Sequence, residues 1–402
     1  MTVKTVKGGI SAPKGFLSGS IRAGFKKKGD DMGLIYSEFP AVADGVFTQN
    51  QVEAAPVTVS KAHLKQDLMA QAIVVNSGCA NCCTGERGLK DAARTAELIA
   101  KQLGIKKEDV LVASTGVIGK FLEIGKIEKA LPALVKALSK NGSMDFAKAI
   151  MTTDTFPKET AVRFEIGGKE VSIGGVCKGA GMIHPNMATM LCFITTDIYI
   201  TRRALKLALE TAVNKSFNAI TVDGETSTND CALVLANGMA GNKLVDKTDK
   251  EFKIFTQALI YVCGKLARMI VKDGEGASKF IEITVKGCPS YWQGLKVARR
   301  IASSALLKTC IYGGDPNWGR IAASLGTSGI RIKKDKFDIY LGNRQVVKNG
   351  VTVNVNREQL ANAFKGKEIS ITVDLKLGRE TATAWTCDLT EEYIKINAEY
   401  ET

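Results

Sequence analysis

Short apolar segments of strand length alternate with helical segments along the 402 residues, and this alternation restricts the possible folds more than any other feature. The helix candidates are Leu89–Leu103, Ile127–Leu138, Arg202–Asn214, Lys250–Lys272, Leu295–Leu307 and Glu358–Phe364. The strand candidates are Ala72–Val75, Val110–Ala113, Ala161–Glu165, Val171–Gly174, Met190–Thr195, Ala219–Val222, Cys231–Ala236, Ile281–Val285, Ile330–Ile332, Phe337–Tyr340, Ile369–Val373 and Ala382–Asp388. Short turns such as Gly167-Gly168 favour antiparallel hairpins over repeated βαβ units. The pattern predicts a mixed α/β or α+β protein.

The chain has no segment that we would predict to cross or enter a membrane. Its most apolar stretch, Phe255–Val271, is interrupted by Lys265 and Arg268. The first fifteen residues lack the continuous apolar core of a secretory signal. We therefore expect a soluble, cytoplasmic protein.

Cysteine usage agrees with a reducing compartment. Most of the ten cysteines lie inside apolar runs such as Tyr261-Val262-Cys263, as small buried residues do. Cys79 and Cys82 have CxxC spacing, but no second pair follows at zinc-ribbon distance, and the histidines are His63 and His184 alone. Because a structural zinc site needs four ligands, we expect no metal.

The net charge of +14 raises the question of a nucleic-acid partner. The basic clusters, however, lie next to acids, as Lys26-Lys27-Lys28 does before Asp30-Asp31 and Lys106-Lys107 before Glu108-Asp109. This arrangement is typical of solvated loop tips. No GxGxxG follows a strand candidate and no GxxxxGK[ST] occurs. We expect no nucleic-acid binding, whereas a small anionic substrate remains compatible with the charge.

Two histidines in 402 residues leave little room for a serine-type catalytic triad. His63 lies in a polar helical stretch and is expected at the surface. His184 precedes Pro185 too closely for a role to be assigned by spacing. If the protein is an enzyme, its general base is expected elsewhere.

The segment Lys178–Leu191 is the most distinctive in the chain. Its glycines and its proline mark a tight loop, and Thr189 follows at the entrance to the apolar run Met190–Ile194. Thr189 could simply begin a strand. Alternatively, its hydroxyl attacks the carbonyl of Ala188, and hydrolysis of the resulting ester frees an α-amine on Thr189. Such an amine has a pKa of about 7.7–8.0 and can act as base to its own hydroxyl without a histidine.

This segment resembles the cleavage and nucleophile signature of the ornithine acetyltransferase (bifunctional glutamate N-acetyltransferase) family. The resemblance continues in order along nearly the whole chain, at Gly45–Asn50, Ala54–Val57, Val74–Gly78, Ser114–Gly119, Met151–Thr155, Thr221–Gly224, Asp273–Gly276, Asp315–Arg320 and Lys395–Ala398. The chain departs from the family pattern at Cys79, Cys82 and Cys83 and at Gly313-Gly314, none of which touches the nucleophile.

The resemblance implies a fold and a chain organisation. The fold would be an α/β sandwich with layers like those of N-terminal-nucleophile hydrolases, of the type shared by certain aminopeptidases and ornithine acetyltransferases. Cleavage between Ala188 and Thr189 would give chains 1–188 and 189–402. These chains would stay associated and pair into an α₂β₂ heterotetramer.

The resemblance also implies the site residues. Thr189 would be the nucleophile for both cleavage and acetyl transfer, and Thr115 and Gly116 would form the oxyanion hole. The implied substrate-binding residues are Thr152, Lys178, Thr189, Glu275, Asn397 and Thr402. Read from pattern alone, Thr115 could merely cap a strand and Glu275 could be a solvated acid in a glycine-rich turn. If Asn397 and Thr402 bind substrate, the C-terminus must fold back into the site.

The reaction implied by the resemblance is ping-pong transfer of acetyl from N2-acetyl-L-ornithine to L-glutamate, which releases L-ornithine and N-acetyl-L-glutamate. It needs no cofactor, although acetyl-CoA is a further candidate donor. The alternative is a self-processing aminopeptidase or amidase of related fold, in which water is the acyl acceptor.

Overall fold

A large mixed sheet forms the centre of the protein, which is described here from a computed structural model covering residues 3–66, 69–184, 190–356, 360 and 362–399. Its strands are β1 (Lys4–Val6), β2 (Phe16–Ile21), β3 (Met32–Phe47), β4 (Met69–Cys79), β5 (Val110–Val117), β6 (Lys158–Ile166), β7 (Lys169–Lys178), β8 (Leu191–Thr196) and β9 (Cys231–Ala236). Within those ranges the order is β1-β6-β7-β8-β9-β3-β4-β5, with β2 paired to β3. The pairs β4–β5 and β8–β9 are parallel and the others are antiparallel.

A second, smaller sheet is built from the C-terminal part of the chain. Its strands are β10 (Phe280–Cys288), β11 (Asp338–Leu341), β12 (Arg344–Lys348), β13 (Val351–Thr352), β14 (Glu368–Asp374) and β15 (Glu380–Cys387). Their order in the described part of the chain is β13-β12-β11-β14-β10-β15. Only β10 and β14 run parallel among them.

Helices pack against both sheets. They are α1 (Ala55–Gln66), α2 (Gly85–Leu103), α3 (Ile124–Lys136), α4 (Ser143–Ala149), α5 (Arg202–Asn214), α6 (Lys250–Lys272), α7 (Tyr291–Ala302), α8 (Ala305–Tyr312), α9 (Gly319–Gly326) and α10 (Glu391–Glu399). Helix α5 shows why such segments are helical. It buries Ala204, Leu205, Ala208, Leu209 and Ala212, which fall on one face at helical spacing. The Thr201 hydroxyl accepts a hydrogen bond from the Ala204 amide and caps its first turn.

The large sheet folds back on itself at β3, which gives four layers. The first half of β3 pairs with β2 and β4 and the second half pairs with β9, with a register shift between Tyr36 and Ala41. Leu111 of β5 and Phe193 of β8 consequently share one inner core. Helices α5 and α6 pack outside β6–β9, and α2 and α3 pack outside β4 and β5. The predicted mixed α/β sandwich is confirmed.

Helix α6 is long and apolar enough to cross a membrane, but it is a helix of the protein core. More than half of its most apolar window, 56%, is buried inside the protein. Its side chains, among them Phe255, Leu259 and Ile270, pack in the core beneath β6 and β7. Burial of this kind is the behaviour of a core helix.

Several segment predictions were wrong. The predicted helix Leu295–Leu307 is two helices, because Ser304 leaves the helix and its hydroxyl caps α8 through the Leu307 amide. Segment Ala219–Val222 is the end of a 3-10 helix followed by loop, and Ile330–Ile332 is loop, so neither is a strand. Three of the seven residues in the predicted helix Glu358–Phe364 lie outside the described residues, and Asn362–Phe364 is a 3-10 turn.

His63 was also placed wrongly by the sequence. It was expected at the surface, yet it is buried where α1 crosses β5. Its Nδ1 donates a hydrogen bond to the Val110 carbonyl at 2.8 Å. This hydrogen bond satisfies the ring nitrogen inside the protein. The sequence did not predict the burial of His63, because its neighbours Lys61 and Lys65, on the other side of α1, make the segment look polar.

Candidate active site

A cavity of about 150 Å³ lies where β7 ends and β8 and β9 begin. Every predicted site residue that the structure describes lines it, namely Thr115, Gly116, Thr152, Lys178, Glu275 and Asn397. These six residues come from five separate segments spread over 283 positions of the chain. The fold therefore brings these six predicted residues together in one place, next to residues that the sequence did not single out.

The end of β5 presents Thr115 and Gly116 to the cavity. Gly116 has φ of +127°, and a Cβ there would come within 2.5 Å of the Gly78 carbonyl carbon on the neighbouring strand β4. Only glycine fits this position, because any side chain would collide with backbone. Asn229 fixes the same segment from the other side, since its Nδ2 donates to the carbonyls of Ser114, at 2.9 Å, and Ala80, at 2.6 Å.

Lys178 ends β7 and points its ammonium at this corner. Its Nζ donates to the Thr115 hydroxyl at 3.3 Å. The next residue, Gly179, donates its backbone N–H to Asp154 Oδ1 at 2.7 Å. A positive charge, a hydroxyl and a conformationally restricted glycine thus converge, which is the donor set that a carboxylate or a developing oxyanion requires.

A buried ion network beneath the cavity holds three of the predicted segments together. Lys158 is fully buried, and its Nζ lies 2.6 Å from Asp154 Oδ1 and 2.5 Å from Asp273 Oδ2. Asp154 also accepts the backbone N–H of Thr152 at 3.1 Å, besides that of Gly179. Asp273 stands two residues before Glu275. One buried ammonium therefore ties together the chain segments that carry Thr152, Lys178 and Glu275.

Electrostatics favour the charged forms of Lys158 and Asp154. Burial alone would raise the pKa of Asp154, but the charges of Lys158 and Lys178 outweigh burial and hold that pKa below its ordinary value. Burial alone would likewise lower the pKa of Lys158, but Asp154 and Asp273 outweigh it and raise that pKa. Both shifts favour the charged forms of Asp154 and Lys158, so these two groups form an ion pair at neutral pH.

Glu275 reaches the cavity from the loop that follows α6, and the C-terminal helix α10 folds back against it. The Glu275 amide donates to the Ala180 carbonyl at 2.9 Å. Asn397 on α10 donates from Nδ2 to Glu275 Oε2 at 2.8 Å. Gly181 leaves room for the acid, because a Cβ at that position would lie 2.3 Å from the Glu275 carboxyl carbon. The expected return of the C-terminal region to the site is thus observed for Asn397.

Three predicted residues, Ala188, Thr189 and Thr402, lie outside the described residues. The chain on both sides of the predicted cleavage point does reach the cavity, since Ile183 and Met190 line it. The Met190 carbonyl accepts the Cys231 amide of β9 at 3.0 Å. Met190 is the residue that directly follows Thr189 in the sequence.

His184 lies outside this cavity and stays uncharged. Its Nδ1 is 3.0 Å from the Thr221 hydroxyl, and its Nε2 accepts a hydrogen bond from Arg299 Nη2 at 2.9 Å. Burial and the Arg299 charge lower the pKa of His184 to about 4. In the part of the chain that the structure describes, no histidine lines the cavity.

The sequence reasoning missed Asp230, a buried acid in the cavity wall. Burial raises the pKa of Asp230 well above its ordinary value, and Lys178 and Ser227 oppose this only in part. Its Oδ2 has no hydrogen-bond partner among the described residues. A usable signal was the polar run Glu225–Asp230 immediately before the apolar strand β9, since such a run at a strand start marks an edge where side chains project from the sheet.

Metal ligation finds no support in the described ranges, where no group of three or more His, Cys, Asp or Glu side chains could hold a metal ion. Cys79 and Cys82, the CxxC pair, are buried and carry free thiols. Burial raises the pKa of both thiols. They therefore behave as packed side chains rather than as reactive thiolates.

Comparison with known proteins gives matches along nearly the whole chain. The ArgJ family profile matches residues 17–402. The arginine biosynthesis bifunctional protein ArgJ of Symbiobacterium thermophilum is 47% identical over 398 residues, which cover 98% of this chain and 99% of that protein.

Two solved structures are also similar. A crystal structure of the arginine biosynthesis bifunctional protein ArgJ of Bacillus halodurans is 40% identical with a TM-score of 0.50, and it covers 52% of this chain and 98% of that chain. The ornithine acetyltransferase of Mycobacterium tuberculosis, solved in complex with ornithine, is 36% identical with a TM-score of 0.44, and it covers 46% of this chain and 100% of that chain.

Proposed function

The chain belongs to the ArgJ family and is therefore an acetyltransferase of arginine biosynthesis, and we propose that it works through a Thr189 ester after cutting its own backbone. In this proposal Thr189 accepts acetyl from N2-acetyl-L-ornithine and passes it to L-glutamate. The observation that carries the proposal is the single cavity that gathers all six described site residues beside Met190.

Self-cleavage is the first step of the proposal. The Thr189 hydroxyl attacks the Ala188 carbonyl, the peptide bond shifts to an ester, and water then releases chains 1–188 and 189–402. The extent of the solved Bacillus halodurans chain supports this step. That chain matches 52% of the present one, whereas the Symbiobacterium relative matches 98%. A half-length chain is what cleavage near the middle of 402 residues leaves.

The freed α-amine of Thr189 is then the general base for acetyl transfer. Its ordinary pKa of about 7.7–8.0 suits proton transfer at neutral pH, which accounts for catalysis without a histidine in the cavity. The hydroxyl attacks the acetyl carbonyl of acetylornithine, the C–N bond breaks, and ornithine leaves with the proton. The glutamate amine then attacks the ester and restores the Thr189 hydroxyl.

The cavity walls supply the remaining roles. Thr115 and Gly116 stabilise the oxyanion, and each such donor contributes about 3 kcal/mol to the transition state. Lys178 binds the α-carboxylate that donor and acceptor share, and Glu275 with Asn397 binds the side-chain ammonium of ornithine. Thr152 completes the binding wall in this proposal, as does Thr402.

The proposed assembly is a cytoplasmic α₂β₂ heterotetramer of the two chains. Its free cysteines, nine of the ten buried, fit a reducing compartment. The proposal requires no metal or redox cofactor, no nucleic acid and no membrane. Ornithine, glutamate and their N-acetyl forms are its small-molecule partners, with acetyl-CoA as a candidate second donor.

An assay that measures which acceptor receives the acetyl group tests the proposed function. With acetylornithine as donor, ornithine release should depend on glutamate and should be matched by N-acetylglutamate, with little free acetate. Thr189→Ala should abolish both products, while the matched variant Thr211→Ala, on the surface of α5, should retain them. Release of acetate equal to ornithine, independent of glutamate, would identify a hydrolase and refute the proposal.

A further inference from the structure

The segment Met182–His184, shortly before the predicted cleavage point, is held by hydrogen bonds that have no role in the proposed reaction. Asp223 accepts the backbone N–H of Met182 through Oδ2 at 2.6 Å and that of Ile183 through Oδ1 at 2.9 Å. The Ile183 carbonyl accepts the Val222 N–H at 2.7 Å. The backbone of this segment is thus fixed at successive residues.

The conformation of Met182 shows that these bonds act against the local backbone preference. Its φ of +53° lies in the left-handed region, which residues with a side chain rarely adopt. Such conformations persist where the surrounding structure over-determines them, and they are frequent at functional sites. The two bonds to Asp223 therefore hold a turn that sets the direction of the chain at Ile183 and His184.

His184 is held by a relay of side chains that begins on α7. Arg299 Nη2 donates to His184 Nε2 at 2.9 Å, so Nδ1 of the uncharged ring carries the proton. Nδ1 donates to the Thr221 hydroxyl at 3.0 Å, and this hydroxyl donates to the Ile183 carbonyl at 3.1 Å. The Thr226 hydroxyl donates to the His184 carbonyl at 2.8 Å. Both the ring and the backbone of His184 are therefore held.

The chain after the predicted cleavage point is held by the same part of the fold. The Cys231 amide donates to the Met190 carbonyl at 3.0 Å, and from Leu191 onward β8 pairs in parallel with β9. The stretch Thr221–Cys231 therefore contacts the chain on both sides of residues 185–189.

This stretch is itself tied to other parts of the protein. The Thr221 N–H donates to the Trp385 carbonyl of β15 at 3.0 Å. Asn50, in the loop after β3, donates from Nδ2 to the Thr226 carbonyl at 2.9 Å. The support around Met182–His184 consequently forms only when residues far beyond the predicted cleavage point have folded.

Four side chains hold the chain before the predicted cleavage point, and we call them the cleavage clamp: Thr221, Asp223, Thr226 and Arg299. We propose that the cleavage clamp positions the chain for self-cleavage. The inference rests on the proposed function, because it takes attack of the Thr189 hydroxyl on the Ala188 carbonyl as the first step. A misplacement of the reacting atoms by about 1 Å can slow a reaction about 100-fold. Holding the chain at His184 restricts where the Ala188 carbonyl can lie.

The cleavage clamp should matter for self-cleavage and not for acetyl transfer. Once the Ala188–Thr189 bond is broken, the chain no longer runs from His184 to the nucleophile. Of the four clamp residues, Asp223 alone lines the candidate active-site cavity. Arg299 and Thr226 can therefore be replaced without changing the cavity wall.

The rate of self-cleavage measures the role of Arg299 directly. Newly translated full-length chain is followed on gels in a cell-free system, for wild type and for Arg299→Gln. We expect the intact variant to disappear at least about tenfold more slowly, because the His184 ring loses its charged donor. The matched control is Arg300→Gln, the exposed next residue on α7, which should cleave at the wild-type rate.

The pair Thr226→Val and Thr226→Ser separates positioning from a general loss of structure. Serine keeps the hydroxyl that bonds the His184 carbonyl, whereas valine keeps the shape and loses the hydroxyl. We expect Thr226→Val to cleave at least about tenfold more slowly and Thr226→Ser to cleave within about twofold of wild type. The thermal unfolding midpoints of both should stay close to wild type. Equal cleavage rates in the two variants would refute the role of the hydroxyl.

Acetyl transfer supplies a readout that a structural defect would change. After Arg299→Gln has cleaved to completion, its kcat and its KM for acetylornithine, per cleaved chain, should stay within about twofold of wild type. If wild type cleaves but Arg299→Gln cleaves equally fast, or loses transfer in proportion to cleavage, the cleavage clamp is refuted while the transferase stands. If wild type stays a single chain and transfers no acetyl, the proposed function itself fails.

Discussion

Replacing Lys158 by methionine removes the ammonium that joins the segments of the candidate active site. The substitution keeps an unbranched chain of similar length but leaves Asp154 and Asp273, both essentially inaccessible, without their cation. Breaking a buried ion pair by removing one partner costs about 3–5 kcal/mol. Proteins are stable by only about 5–15 kcal/mol, so this is a large fraction of the total. With a urea dependence of about 3 kcal/mol per M, the unfolding midpoint should fall by about 1 M or more.

The pH dependence of the free energy of unfolding provides a second test of the Lys158→Met substitution. In wild type the pKa of Asp154 is lowered, so its contribution is present above its ordinary value of about 3.9 and is lost as pH falls further. In Lys158→Met the buried Asp154 loses its cation and its pKa should rise above the unfolded value. The free energy of unfolding of the variant, taken relative to wild type at the same pH, should therefore increase as pH falls from 7 to 5.

Urea unfolding followed by circular dichroism at pH 7, 6 and 5 measures both effects. Lys272→Met is the matched control, because its partner Glu368 is exposed and neither residue lines the cavity. The control midpoint should stay close to wild type. A Lys158→Met midpoint equal to that of the control, or a loss of stability relative to wild type that does not shrink toward pH 5, would refute the account of the network.

Three further predictions concern single residues. Thr115→Ala should slow acetyl transfer about 100-fold in steady-state assays with the circular dichroism spectrum unchanged, because one oxyanion donor is lost, whereas Thr115→Ser should keep most of the activity. Equal rates of acetyl transfer in the two variants would show that the Thr115 hydroxyl is not an oxyanion donor. Glu275→Gln should raise KM for acetylornithine about tenfold and leave KM for glutamate little changed, since it removes the charge that meets an ammonium; an unaltered acetylornithine KM would contradict this. The free energy of unfolding should fall as pH drops from about 6.5 to 4, because His184, with a pKa of about 4 in the folded protein, takes up its proton mainly when unfolded. Urea titrations of wild type and His184→Gln over that range test this, and identical slopes would exclude His184 as the cause.

Much of the fold follows from local patterns. Helices Arg202–Asn214 and Lys250–Lys272 and strand Cys231–Ala236 have the bounds that the sequence predicted, because their apolar periodicity is long and uninterrupted. Strand β3 was not predicted, since Ser37-Glu38 and Pro40 break its pattern where it changes pairing partner. That change depends on β9, almost two hundred residues away, and no local pattern reports it.

The candidate site, like the fold, was predicted only in part from the sequence. The resemblance named Thr115, Lys178 and Glu275, and these do line one cavity. The ion network was not predicted, because Lys158 and Asp273 are 115 residues apart and look like ordinary surface charges in sequence. Asp230 was missed for a related reason, since its burial arises only when β9 is covered by the chain around the cavity.

The intact masses of the purified protein test the central claim most directly. Wild type should give two chains, corresponding to residues 1–188 and 189–402, and N-terminal sequencing of the second should begin with Thr-Met-Leu. Thr189→Ala should give one chain of 402 residues. Wild type that remains a single chain yet transfers acetyl from acetylornithine to glutamate would contradict the claim that a freed Thr189 amine is the base.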